Sequence, residues 1–151
     1  MNAEPREFAS AVILDTAGRL LFQKRDDVAG IVQPGNIGLF GGHRELNETF
    51  LQCVVREIQE EISYFVPADR FVRFLVYDGA DLEIAGGWCR AEFFIVRDIP
   101  ADALVVTEGS LRIVGQQDVT GILNDLTPYA QFAMNTFLDS PAIRSVHPKG
   151  P

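Results

Sequence analysis

Apolar residues at Leu51, Val54, Val55, Ile58 and Ile62 recur at the spacing of one helix face. Asn47 stands where a cap belongs, so the pattern predicts a helix from near Glu48, bounded on its far side by Pro67. Ahead of it, EFASAVILD (7–15) is apolar and β-branched. The turn TAG and then RLLFQKRD follow, which predicts an N-terminal hairpin. Residues 26–36, DDVAGIVQPGN, carry Pro and Gly and predict a loop, and IGLFGG predicts a short strand entering a tight turn. RFVRFLVYD (70–78) and WCRAEFFIV (88–96) predict two longer strands, and LRIVG a short one. In residues 126–140, Thr127 before Pro128 predicts a capped closing helix, and VHPKGP should fray. The order β-β-loop-β-α-β-β-β-α predicts an α/β fold, a mixed sheet with helices packed on it. With no repeat or linker in view, a single domain over 1–151 is expected.

Composition narrows the function. The chain of 151 residues is 47% apolar and 23% charged, which suits a globular domain with a real core. No apolar run approaches the roughly 20 residues of a membrane helix. The start, MNAEPREFAS, has no basic region followed by an apolar one, so no secretory signal is expected. Cys53 and Cys89 form no CxxC and are expected to be reduced, packed thiols in a cytoplasmic protein. A net charge of −8 disfavours long DNA or RNA as a partner. It leaves room for a small anion where a metal inverts the local charge.

The chemistry concentrates in GGHRELNETFLQCVVREIQEEISY, Gly41 to Tyr64. At about 100° per residue, Glu61 lies about 40° and Glu60 about 300° from Glu57, so the three carboxylates share a face. That face lies beside the apolar stripe, at the edge of the buried surface. Glu57 and Glu61 are a like-charge i,i+4 pair, and Glu60 and Glu61 sit at the helix end that disfavours anions. Ser63, Tyr64 and Phe65 offer no cation in the following turn. A hard divalent cation, Mg²⁺ or Mn²⁺, would relieve the repulsion, where a solvated acidic face would not need one. Paired Gly41 and Gly42 permit a sharp turn close to a ligand, and Glu48 and Arg56, two helical turns apart, can bridge.

Together these residues resemble the Nudix box, G-x5-E-x7-R-E-U-x-E-E-x-G-U with U bulky and apolar, the signature of the Nudix (MutT-like) hydrolases. Gly42, Glu48, Arg56, Glu57, Ile58, Glu60, Glu61 and Tyr64 match it over 42–64. Ser63 replaces the usual Gly, and Phe40 stands where many members have Pro. A Gly would end the helix in the left-handed region at little cost, whereas Ser costs about 1 kcal/mol there or ends the helix differently.

The resemblance implies an α/β/α sandwich with a mixed sheet between helices. It also implies Mg²⁺- or Mn²⁺-dependent cleavage of a diphosphate bond in a nucleoside triphosphate or other nucleoside diphosphate derivative. It implies Glu57, Glu60, Glu61 and the Gly41 carbonyl as metal ligands, with Glu48 and Arg56 positioning them. Glu57, or Glu108 on a loop outside the box, is the expected general base. Arg25, His43 and Phe40 are candidates to touch substrate, and Trp88, Phe74 and Tyr77 are aromatics that core packing would equally claim. The expected partner is a small nucleotide, with no long nucleic acid and no membrane, and a homodimer is possible. The alternatives are a nucleotide-binding or regulatory domain without turnover, an isopentenyl diphosphate isomerase-like enzyme, and an RNA-decapping member. The first would be signalled by a lost box Glu, the second by a catalytic Cys, and the third by salt-sensitive RNA affinity.

Overall fold

The computed structural model describes residues 4–25, 36–145 and 147–148. The loop expected over 26–36 therefore falls almost wholly outside the described residues. The strands are β1 (Arg6–Asp15), β2 (Leu20–Lys24), β3 (Ile37–Gly38), β4 (Phe40–His43), β5 (Val72–Ala80), β6 (Trp88–Ile99) and β7 (Ser110–Val114). The helices are α1 (Phe50–Ile62), α2 (Pro128–Asp139) and a short α3 (Pro141–Arg144). The strands form one seven-stranded sheet in the order β3-β2-β1-β6-β5, with β4 paired to β1 and β7 to β2. β1 and β6 run parallel while the other pairs are antiparallel, so the sheet is mixed, as expected.

β1 is central, and its alternation builds both layers. Ala9, Ala11 and Ile13 pack towards α1 with Phe40, Val54, Ile58 and Ile62. Val12 and Leu14 face the other way, with Ala130, Met134 and Phe137 of α2. Phe8 joins a third cluster with Phe93, Tyr129 and Ala133. Being buried on both faces, β1 reads as an almost unbroken apolar run rather than an alternating one.

Some expectations are corrected. α1 is capped by Thr49, not Asn47, because Thr49 and Gln52 exchange a reciprocal capping box. Asn47 instead takes a φ of 70° in the preceding turn. Leu51 is exposed, and buried Cys53 takes its place in the apolar stripe. IGLFGG is split at Leu39 into β3 and β4. The 3-10 run Gln116–Asp125 had no expected counterpart.

Candidate active site

α1 carries the box, and its start and end are both secured. Arg56 grips Glu48 through Nε (2.7 Å) and Nη2 (2.9 Å), meets Glu57 at 2.7 Å and donates to the His43 carbonyl at 3.1 Å. One guanidinium thus ties the helix to the Gly41–Gly42 turn. Its hydrogen bonds hold the Glu48 carboxyl down at about 2 against the effect of burial. Ser63 ends the helix in the left-handed region (φ 53°, ψ 39°), where the box Gly would stand. The last carbonyls are met from outside: Val105 N–H donates to Ile62 O at 3.1 Å and Thr107 N–H to Glu61 O at 3.0 Å. This pairing draws the 105–109 segment alongside the helix and brings Glu108 next to Glu61.

The two glycines are required by contact. A Cβ on Gly41, whose φ is 153°, would lie 2.2 Å from Ala9 O and 2.6 Å from Ser10 Oγ. A Cβ on Gly42 would lie 2.3 Å from the Glu57 carboxylate carbon. Gly41 N–H donates to Glu61 Oε1 at 2.6 Å. Cys53 Sγ donates to the Gly42 carbonyl at 3.3 Å, and burial pushes this thiol up to about 12, so it is a packing group.

Glu61 is the least comfortable of the carboxylates. Burial pushes it up to about 7; the Gly41 N–H pulls the other way, and the charges of Glu57 and Glu108 add to the rise. Glu60 is far more exposed, at 61%, and lies 3.5 Å from Arg56. Among the described residues no group of three carboxylate, imidazole or thiol side chains stands together closely enough to hold a metal ion. Mg²⁺ usually takes one or two carboxylates and completes its shell with water and substrate phosphate. The oxygen-only donors, the excess negative charge and the destabilised Glu61 carboxylate fit such an ion.

Gly41 and Gly42 meet these carboxylates on one side and line a cavity of about 210 Å³ on the other. Arg25 and His43, both expected near substrate, line it too. Phe40 does not. β4 alternates, so the Phe40 ring lies fully buried against α1 while its neighbours face the cavity. Phe74 and Tyr77 pack in the core, and Trp88, half-exposed, donates to Asp78 at 2.6 Å. The cavity wall also includes Arg6, Phe8, Ser10, Gln23 and Glu83, which sequence reasoning missed. Arg6, Phe8 and Ser10 sit at alternate positions of β1, a period hidden there because most of the strand is buried.

Residues 5–103 match the family model described as the NUDIX domain. This chain belongs to that family. With its box carboxylates complete, it is a Nudix hydrolase, acting on phosphoric anhydride bonds. Solved structures share the fold. A MutT NUDIX hydrolase from Burkholderia pseudomallei is 23% identical, with a TM-score of 0.65 over 89% of this chain and 98% of its own. The NUDIX domain of Shewanella oneidensis NrtR, complexed with ADP ribose, is 14% identical, with a TM-score of 0.68 over 91% and 88%. A bifunctional NMN adenylyltransferase/ADP ribose pyrophosphatase from Francisella tularensis, complexed with AMP and a Mn ion, is 14% identical. Its TM-score is 0.67, over 90% of this chain and 42% of its own. No curated protein matches the chain significantly.

Proposed function

We infer that this Nudix hydrolase, as a single domain over 1–151, cleaves a diphosphate bond in a nucleoside triphosphate or other nucleoside diphosphate derivative, with Mg²⁺ or Mn²⁺. The observation that carries this reading is the junction at Gly41–Gly42. The Glu57 carboxylate and the destabilised carboxylate of Glu61 lie on one side and a cavity with Arg25 and His43 on the other. The nucleotide ligands of the NrtR and Francisella structures, and the Mn ion of the latter, support it.

Glu57 and Glu61, with Glu60 swung from Arg56 and the Gly41 carbonyl, would hold the metal. The bound cation supplies charge neutralisation on the phosphates as the bond breaks. Arg56 keeps Glu57 facing the turn and is itself fixed by Glu48. Arg25 and His43 bind the phosphates from the cavity side. Glu108, beside Glu61, takes the proton of the attacking water, and Glu57 is the second candidate for that step. No box Glu is lost, which favours turnover over a binding domain.

The test is phosphate and pyrophosphate release from a panel of nucleotides and nucleotide sugars in Mg²⁺, Mn²⁺ and EDTA. Metal-dependent release from one group is expected. Metal binding by calorimetry with no release from any compound would overturn the reading in favour of a binding domain.

A further inference from the structure

The cavity has two electrically different ends, and β1 is the ruler between them. Ser10 pairs with Gly41, next to the carboxylates. Arg6 lies four residues back on the same strand face, about 13 Å away at the usual strand rise. The far end is furnished by the loop joining β5 to β6, residues 81–87, which the sequence offered only as a connection. Arg6 forms a two-pronged pair with Asp81 (2.9 Å from Nε and from Nη2) and reaches Glu83 Oε1 at 2.8 Å. Tyr129 OH donates to Asp81 Oδ1 at 3.0 Å and accepts from Leu82 N–H at 2.9 Å. Glu83 N–H also donates to Asp81 Oδ1, at 2.9 Å. Glu83 is therefore held through both backbone and side chain.

Two carboxylates meet one guanidinium here, leaving a net charge of −1 on this group of three. That repels phosphate, whereas a cation bound by the box carboxylates would draw it, so the phosphates belong at the Gly41–Gly42 end, with Arg25 and His43. Oε2 of Glu83 makes no hydrogen bond with any described residue, and Glu83 lines the cavity. Glu83 is exposed, and an ionised carboxylate accepts only, so this oxygen can exchange water for a ligand donor. A second, independent observation lies between the two ends. Ser10 is 7% exposed and faces the same cavity, and its hydroxyl makes no hydrogen bond with any described residue. The hydroxyl oxygen is itself open to the cavity, where a ligand group can reach it. Phe8, between Arg6 and Ser10, gives the floor an apolar face.

We propose that Glu83 determines specificity for the nucleoside moiety, accepting a hydrogen bond from a donor on it, either a base N–H or a ribose hydroxyl, with the Ser10 hydroxyl as a second contact. The proposal rests on the nucleotide reading of the cavity. It adds a direction to it: phosphates at Gly41–Gly42, nucleoside towards the β5–β6 loop. Because Glu83 is fixed before the ligand arrives, little ordering remains to be done on binding.

The experiment is calorimetry of AMP, CMP, GMP and UMP against the full chain in Mg²⁺; these monophosphates carry no anhydride bond, so binding is read without turnover. The best binder is then compared with forms that each lack one donor, a sugar hydroxyl or a base N–H. Glu83→Ala is expected to lose about 10- to 100-fold affinity for the complete nucleotide, the scale of a hydrogen bond to a charged group. It should lose nothing for the one form that lacks the matching donor, and that form identifies base or sugar as the source. Glu83→Gln keeps the shape and one acceptor and should fall between. It also serves as the reference if the alanine variant unfolds. Ser10→Ala should lose a few-fold. Turnover with unchanged affinities in both Glu83 variants overturns the subsite alone. Glu83-dependent binding without turnover of any anhydride overturns the hydrolase mechanism and leaves the subsite standing. Neither binding nor turnover overturns both.

Discussion

Two charged clusters flank the cavity, and one carboxylate of each, Glu61 and Asp81, ends on the opposite side of its usual range. At α1, the guanidinium of Arg56 is divided among Glu48, Glu57 and Glu60. Among the described residues Glu61 receives only the Gly41 N–H and the Gln23 amide, and burial drives it up to about 7. On the β5–β6 loop, Asp81 is enclosed too, with its side chain 1% exposed. Burial would raise it as well, yet Arg6, the Glu83 N–H and Tyr129 OH bring it down to about 2. Burial is common to both. What differs is whether the protein itself supplies the partners. Asp81 is satisfied within the fold and serves structure, while Glu61 is left short of positive charge, which a metal–nucleotide complex would provide.

Neutralising each carboxylate separates these roles. Glu61→Gln is expected to lower metal-dependent turnover about a hundredfold or more, by steady-state kinetics, with the fold intact by circular dichroism. Near-normal activity would remove Glu61 from the metal site. Asp81→Ala is expected to cost about 2–4 kcal/mol in urea unfolding, because it strands Arg6 and unfastens the loop. Equal destabilisation by both substitutions would erase the contrast.

Glu61 and Asp81 should also pull stability in opposite directions with pH. Glu61 rises from 4.5 to about 7 on folding, so the metal-free fold is penalised above pH 7 and relieved as the pH falls towards 4.5. Asp81 falls from 3.8 to about 2, so its contribution is present above pH 4 and is lost as the pH drops through 2. In EDTA, Tm should therefore rise by several degrees from pH 8 to pH 5.5. Saturating Mg²⁺ or Glu61→Gln should flatten that rise. A rise that survives in Glu61→Gln would assign it to another group.

The sequence disclosed these clusters unequally. The box was legible because its residues lie on one helix, where spacing converts directly to a shared face: Glu57, Glu60, Glu61 and the Glu48–Arg56 bridge all lie within 15 positions. Glu108 was also legible as a loop acid, although its place beside Glu61 depends on the pairing of Thr107 with the helix end. The Arg6–Asp81–Tyr129 cluster joins residues 75 and 48 positions apart, and no local period reports that. Phe40 was misplaced for a related reason. A strand of four residues, two of them Gly, gives too little alternation to tell its faces apart.

The smallest expected effect concerns the one box position that departs from the family pattern. Ser63 takes the left-handed conformation that Gly would adopt freely, with φ 53° and ψ 39°. For a residue with a Cβ this costs about 1 kcal/mol. The Val105 and Thr107 N–H groups, bonded to the carbonyls of Ile62 and Glu61, hold the end in place. Ser63→Gly removes the strain but also loosens the unfolded chain, and the two effects partly cancel. A gain of about 0.5 kcal/mol in urea unfolding is expected, with kcat and KM unchanged because every metal-site carboxylate lies earlier on α1 or beyond Thr107. A loss of stability would mean that the Ser63 side chain itself helps to close the helix, and a change in kcat would mean that the strain at this cap reaches Glu61.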